Sequence, residues 1–193
     1  LAPEAPRPVL PAVTDPVTGL ERQALAVMVQ LPLMAGAAGA DSIEAAAFAN
    51  PVHRAVFEAV QAAGGVARAL DEVRALAVDG RGREEVERAA LARWVEQVRL
   101  GAGPEVDAAL TALAVVELPV AGRRGAGEGL DTDSAERYAR DVITSLARMG
   151  VNRRLTELRG RQRRMSPQDE GYREVFEEIV GLENKRMQLS MRS

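Results

Sequence analysis

The sequence predicts an all-α protein: a helical bundle, then a long helix, then a C-terminal two-helix hairpin. Three observations carry this expectation. Hydrophobic residues make up 47% of the 193 residues but aromatics only 3%, and alanine, valine and leucine dominate. Such a mixture suits helices packed closely through small side chains. No segment alternates apolar and polar residues over a useful length, so no half-buried strand is signalled. The last third, from Asp133 to Arg192, holds a single proline, Pro167, and reads as two long arms around a break at Met165-Ser166-Pro167.

Residues 1–18 hold five of the ten prolines. Proline fixes φ and removes a donor, so an extended linker is expected there, cut from a longer chain. The bundle is expected over 19–149. Its first helix should run from Leu20 to Leu31, with Leu20, Ala24, Leu25, Met28 and Leu31 at helical spacing and Pro32 closing it. Ala35 to Ala40 reads as a glycine-rich loop. Asp41 and Glu44 then fit the cap and capping-box positions of a short helix.

Asn50-Pro51 is a helix start, asparagine at the cap and proline at the first position. That helix should reach Ala63, with Val52, Val56, Ala59 and Val60 on one side and Phe57 beside them. Further helices are expected over 66–78, 83–99 and 104–116. The segment 120–130 carries four glycines and reads as a mobile loop. Asp133 to Arg164 could form one continuous helix, roughly 48 Å long, or break at Gly150.

The hairpin is expected over 150–193, and its arms carry opposite charge. From Arg148 to Arg164 there are seven arginines and one acid, Glu157. From Asp169 to Glu183 there are six acids and one base, Arg173. Val151, Leu155, Leu158, Gln162 and Met165 step by four and three, as do Val175, Ile179, Leu182, Arg186 and Leu189. Those steps are coiled-coil seams. The second arm has a further apolar line, Phe176, Val180, Met187 and Met191. It either widens the buried face or forms a stripe turned to solvent for a partner helix. Methionine adapts to an imperfect partner.

Composition excludes much chemistry. The chain has no cysteine and one histidine, His53, which argues against disulfides and against cysteine or histidine metal sites. His53 has no carboxylate or nucleophile beside it in sequence and reads as a structural or surface residue. Trp94, among Leu91, Val95 and Val98, reads as core. Asp131-Thr132-Asp133 reads as a helix start rather than a metal-binding pair. Gly80-Arg81-Gly82 lacks the lysine and hydroxyl of a phosphate loop. The net charge is -3 and no aromatic residues accompany the arginines of the first arm, so no direct nucleic-acid site is expected. There is no run of 18 apolar residues, so no membrane span is expected.

Several short motifs carry a family resemblance. They are Leu20-Glu21-Arg22 through Gln30-Leu31-Pro32, Phe48-Ala49-Asn50-Pro51-Val52-His53-Arg54-Ala55-Val56-Phe57, Glu117-Leu118-Pro119, Arg153-Arg154-Leu155 with Leu158, and Leu182-Glu183-Asn184-Lys185-Arg186. In this order and spacing the chain resembles the C-terminal, helicase-binding domain of bacterial replicative DNA primase over most of 19–192. The resemblance implies a six-helix bundle, a long connecting helix and a hairpin that docks on the N-terminal domains of the hexameric replicative helicase. Docking would couple RNA primer synthesis to fork unwinding in the bacterial cytoplasm.

In some members the domain also binds the acidic tail of single-strand DNA-binding protein. The candidate helicase-binding residues are Tyr172, Phe176, Val180, Lys185, Arg186, Met187 and Met191. No catalytic residue and no cofactor is implied for this segment. Zinc and magnesium would belong to upstream domains of a parent primase, a nucleotidyltransferase. The alternative is the related ring-assembly domain at the N-terminus of the helicase itself. The Gly- and Arg-rich stretch at 120–130 has no counterpart in the family pattern.

Overall fold

The structure, a computed structural model, describes residues 10–77, 82–119 and 132–191. The first half of the expected linker and the expected mobile loop at 120–130 lie outside the described residues. The described residues form eight α-helices and two short 3₁₀ turns, with no strand among them. Helix α1 spans Pro16–Gln30, α2 Pro32–Ala37, α3 Pro51–Ala62 and α4 Ala67–Leu76. Helix α5 spans Arg83–Leu100, α6 Pro104–Leu113, α7 Thr132–Gln162 and α8 Tyr172–Ser190. The 3₁₀ turns, Ala40–Ser42 and Ala45–Ala47, lie between α2 and α3.

Helix α1 is the axis of the bundle. It begins earlier than expected because Asp15 caps it: Oδ1 accepts the N–H of Val17 at 2.8 Å and of Thr18 at 3.0 Å, and Pro16 takes the first position. From Ala24 to Val29 every side chain is buried. A helix apolar all round needs partners on all sides, and α2, α3, α6 and α7 pack against it. Gln30 at its end turns outward to another helix. Its amide donates to the carbonyls of Leu113 (2.7 Å) and Val116 (2.8 Å), at and just beyond the C-terminus of α6, where carbonyls lack helical partners.

Two local expectations are corrected. Ala35 to Ala40 is not a loop throughout. Pro32 opens α2 rather than only ending α1, and the helix runs to Ala37 with Ala35 fully buried. Asp41 does not cap a helix of its own segment. Its carboxylate reaches across to accept Val66 N–H (2.8 Å) and Ala67 N–H (2.9 Å). The cap position of α4 is Val66, which has no acceptor, so a distant carboxylate satisfies the helix start.

His53 does have a carboxylate partner, supplied by α1. Glu21 and His53 are both fully buried, with Oε2 3.0 Å from Nδ1. The same carboxylate accepts the backbone N–H of Ala49 (2.5 Å) and Asn50 (3.2 Å). Glu21 therefore ties α1 to the turn in which Asn50 caps α3. The local sequence could not reveal this pair, whose members are 32 residues apart. Trp94 is core as expected, and its indole N–H donates to Gly65 O at 2.9 Å. Phe57, on the same helix as His53, packs tilted against Phe48 with ring centroids 4.9 Å apart.

The buried side chains form three clusters. The largest fills the bundle, from α1 to the first half of α7. A small one, Leu76, Val86 and Ala90, joins α4 to α5. The third lies between α7 and α8.

Removing the Glu21 carboxylate leaves two backbone N–H groups and a buried imidazole without their acceptor. Glu21→Ala should therefore cost on the order of 3 kcal/mol of unfolding free energy. Glu21→Gln, which keeps one acceptor oxygen, should cost less. Urea denaturation followed by circular dichroism checks both. Equal losses, or a loss well under 1 kcal/mol for alanine, would contradict this role.

Candidate functional site

Helix α7 is continuous through Gly150, so the alternative of a break there is corrected. Its 31 residues span about 46 Å. The first half belongs to the bundle core through Ala139, Val142, Ile143 and Leu146, and the second half to the hairpin core through Val151, Leu155 and Leu158. The turn to α8 is set by Asp169, whose Oδ2 accepts Ser166 N–H at 2.8 Å, and by Gly171 at φ 82. Only glycine adopts that conformation without strain.

The expected seams meet in the hairpin. Val151, Leu155, Leu158, Val175 and Ile179 are buried together, with Met165, Leu182 and Leu189 at the margins. Two seam positions differ. Gln162 is only partly buried and its amide lies 3.5 Å from the Tyr172 hydroxyl. Arg186 is exposed and pairs with Glu183 at 2.5 Å on its own helix.

Part of the opposed charge is spent between the arms. Arg154 bonds Glu178 at 2.8 Å, and Arg159 bonds Glu183. The hydrogen bond to Glu178 holds the Arg154 guanidinium above its ordinary value, against a smaller opposing effect of burial. Arg161, Arg163 and Arg164 at the end of α7 form no ion pair among the described residues. They sit where cations complement the helix dipole.

The second apolar line of α8 faces solvent, not a core. Phe176 is 51% exposed, Val180 44%, Met187 60% and Met191 82%. Steps of four, seven and four put these four on one helix face, away from the Val175–Ile179 seam. Large apolar side chains scattered singly on a surface need no explanation, but four aligned on one face form a stripe suited to a partner. The other candidates lie elsewhere. Tyr172 is partly buried at the hairpin turn, and Arg186 is tied to Glu183. Lys185 points to the bundle, 3.2 Å from Glu44.

Among the described residues, no group of three His, Asp or Glu is placed to hold a metal ion. No described helix is long and apolar enough to cross a membrane.

A helical bundle joined through α7 to a hairpin that leaves one apolar face open has the form of a helical interaction module. The chain belongs to the DNA primase DnaG DnaB-binding family, whose model matches residues 21–174. The matched span ends two residues before Phe176. The chain is 28% identical over 181 residues to a DNA primase of Mycobacterium leprae, covering 93% of this chain and 24% of that protein. It is 27% identical over 190 residues to a DNA primase of Mycolicibacterium smegmatis, covering 97% and 25%. It thus spans about a quarter of the length of these curated relatives. Among solved structures it is similar to the helicase binding domain of primase from Mycobacterium tuberculosis, with a TM-score of 0.57 and 25% identity. That match covers 90% of this chain and 91% of the other. The family is that of the primase, so the helicase ring-assembly alternative is set aside.

The stability of the hairpin should rest on its seam rather than its ion pairs. Leu155→Ala removes a buried side chain and should cost about 3 kcal/mol. The Arg154–Glu178 side chains are 42% and 43% exposed, so Arg154→Ala should cost under about 1 kcal/mol and should matter less as salt rises. Hydrogen exchange of α8 amides measures both. Greater loss of protection from the arginine variant than from the leucine variant would reverse this ranking.

Proposed function

We propose that this chain is the helicase-docking module of a bacterial DNA primase and that the open stripe of α8 is its contact surface. Phe176, Val180, Met187 and Met191 would lie against the N-terminal domains of the hexameric replicative helicase. The observation that carries this is their exposure on a helix whose other face, Val175 and Ile179, is buried against α7. Family membership supports the partner, and the stripe supports the place. Burying Phe176 and its neighbours removes apolar area from water, and the two methionines conform to the partner's relief.

The chemistry of primer synthesis, with its metal ions, would reside in other parts of the parent protein. This module would act without cofactor, in the cytoplasm at the replication fork, keeping the primase where the template is unwound. Residues 19–149 would form the bundle subdomain and 150–193 the docking hairpin. Arg161, Arg163 and Arg164, which form no ion pair among the described residues, offer charge at the hairpin's end for an acidic segment, and the tail of single-strand DNA-binding protein has that character.

A negative charge in the centre of the stripe tests the proposal. Phe176→Glu should weaken binding to the helicase N-terminal domain about thirtyfold or more, on the order of 2 kcal/mol. Val180→Asp should act similarly, and the circular dichroism of both variants should match wild type. Titration calorimetry measures the affinity. Wild-type affinity in both variants would place the contact elsewhere.

A further inference from the structure

We infer that Gly150 and Arg153 lock the long helix into the Ala45–Ala47 turn, so that they are positioning residues fixing the direction in which the hairpin leaves the bundle. This rests on the proposed docking role only for its functional meaning; the lock itself stands on separate contacts.

The geometry at the joint is specific. A Cβ added at Gly150 would lie 2.6 Å from the Ala47 Cβ and 3.1 Å from its Cα. Real Cβ atoms do not approach that closely, and the Ala47 atoms belong to a short side chain and to backbone, neither of which can swing aside. Here the helix interior uses glycine for contact, not for bending, since α7 runs through it unbroken. One turn later, Arg153 Nη1 donates to the carbonyls of Ala46 (3.2 Å) and Ala47 (3.1 Å). Carbonyls at the end of a 3₁₀ turn lack partners, and the guanidinium satisfies two of them at once.

A third contact comes from α8, where Lys185 meets Glu44 at 3.2 Å. Both are substantially exposed, at 36% and 65%, so this pair steers more than it holds. Between these contacts lies a cavity of about 40 Å³, walled by Ile43, Ala47, Ala147, Val151 and Leu182. The joint is therefore closed by contacts from both arms onto one turn of the bundle.

The lock predicts an effect opposite to that of helix propensity. Gly→Ala in a helix interior ordinarily strengthens the helix. At Gly150 it must instead push α7 off the turn. The experiment measures a distance across the joint by double electron–electron resonance. The chain has no cysteine, so spin labels at Gln23→Cys on α1 and Gln168→Cys in the hairpin turn, both exposed, give one defined pair.

The labelled chain should show a single narrow distribution. Gly150→Ala should shift its mean by roughly 3 Å or split it, given a lever of roughly 20 Å beyond the joint. Arg153→Ala, which adds no clash, should at least double its width. On the same samples, affinity for the isolated helicase N-terminal domain should stay within threefold of wild type, because the stripe is untouched. Wild-type distributions in both variants would overturn the lock. So would a larger loss of affinity with the distribution unchanged, since Gly150 and Arg153 would then act on the docking face itself. Phe176→Glu in the same labelled chain separates the two proposals. It should leave the distance alone, and its binding reports only on the docking assignment.

Discussion

Helix α7 has to satisfy two cores at once, and this constraint organises the molecule. Its first half presents Ala139, Val142, Ile143 and Leu146 to a bundle built around α1. Its second half presents Val151, Leu155 and Leu158 to α8. A single rigid rod cannot adjust its two halves independently, so the register of one core sets the register of the other. The close approach at Gly150 is where the two requirements meet. A larger residue there would favour the helix and disfavour the fold.

Apolar and ionic contacts have separate tasks. Burial in the seam holds α8 on α7, because each buried aliphatic side chain contributes on the order of 2 kcal/mol and exposed ion pairs contribute far less. The segregated charge of the arms serves orientation: Arg154 with Glu178 and Arg159 with Glu183 disfavour a slipped pairing. Inside the bundle the polar contacts work differently. Glu21, Asp41 and Gln30 each satisfy backbone groups of a helix or turn distant in sequence. These side chains fix how helices meet, while the apolar clusters make them meet.

Much of this is legible from the chain, and most exceptions come from partners distant in sequence. Asn50-Pro51 and the apolar members of the four-three steps in both arms are local signals, and the structure has them in place. Asp15-Pro16 is an equally clear start signal, masked by the surrounding prolines that read as a linker. The role of Asp41 and the partner of His53 are not legible locally because their contacts lie 25 and 32 residues away, and no local pattern encodes them. The apolar line of α8 could be found by spacing, but spacing cannot tell a second buried face from an open one. That depended on whether another element of the chain covers it, and α8 packs principally on α7. Lys185 and Arg186 illustrate the same limit. Adjacent in one motif, they end on different tasks, one against the bundle and one on its own helix.

The length of α7 beyond the joint turns the hairpin into a lever. About 20 Å separate Gly150 from the end of the helix, so a tilt of roughly 10° there moves the far end by roughly 3.5 Å. A load taken up along α8 reaches the bundle through α7, whose contacts with α1, α2 and the Ala45–Ala47 turn resist it. A turn of three residues is thus the fulcrum of a helix of 31. Ala47 is the one buried methyl of that turn, and its contact with Gly150 leaves no room for a larger side chain at either position.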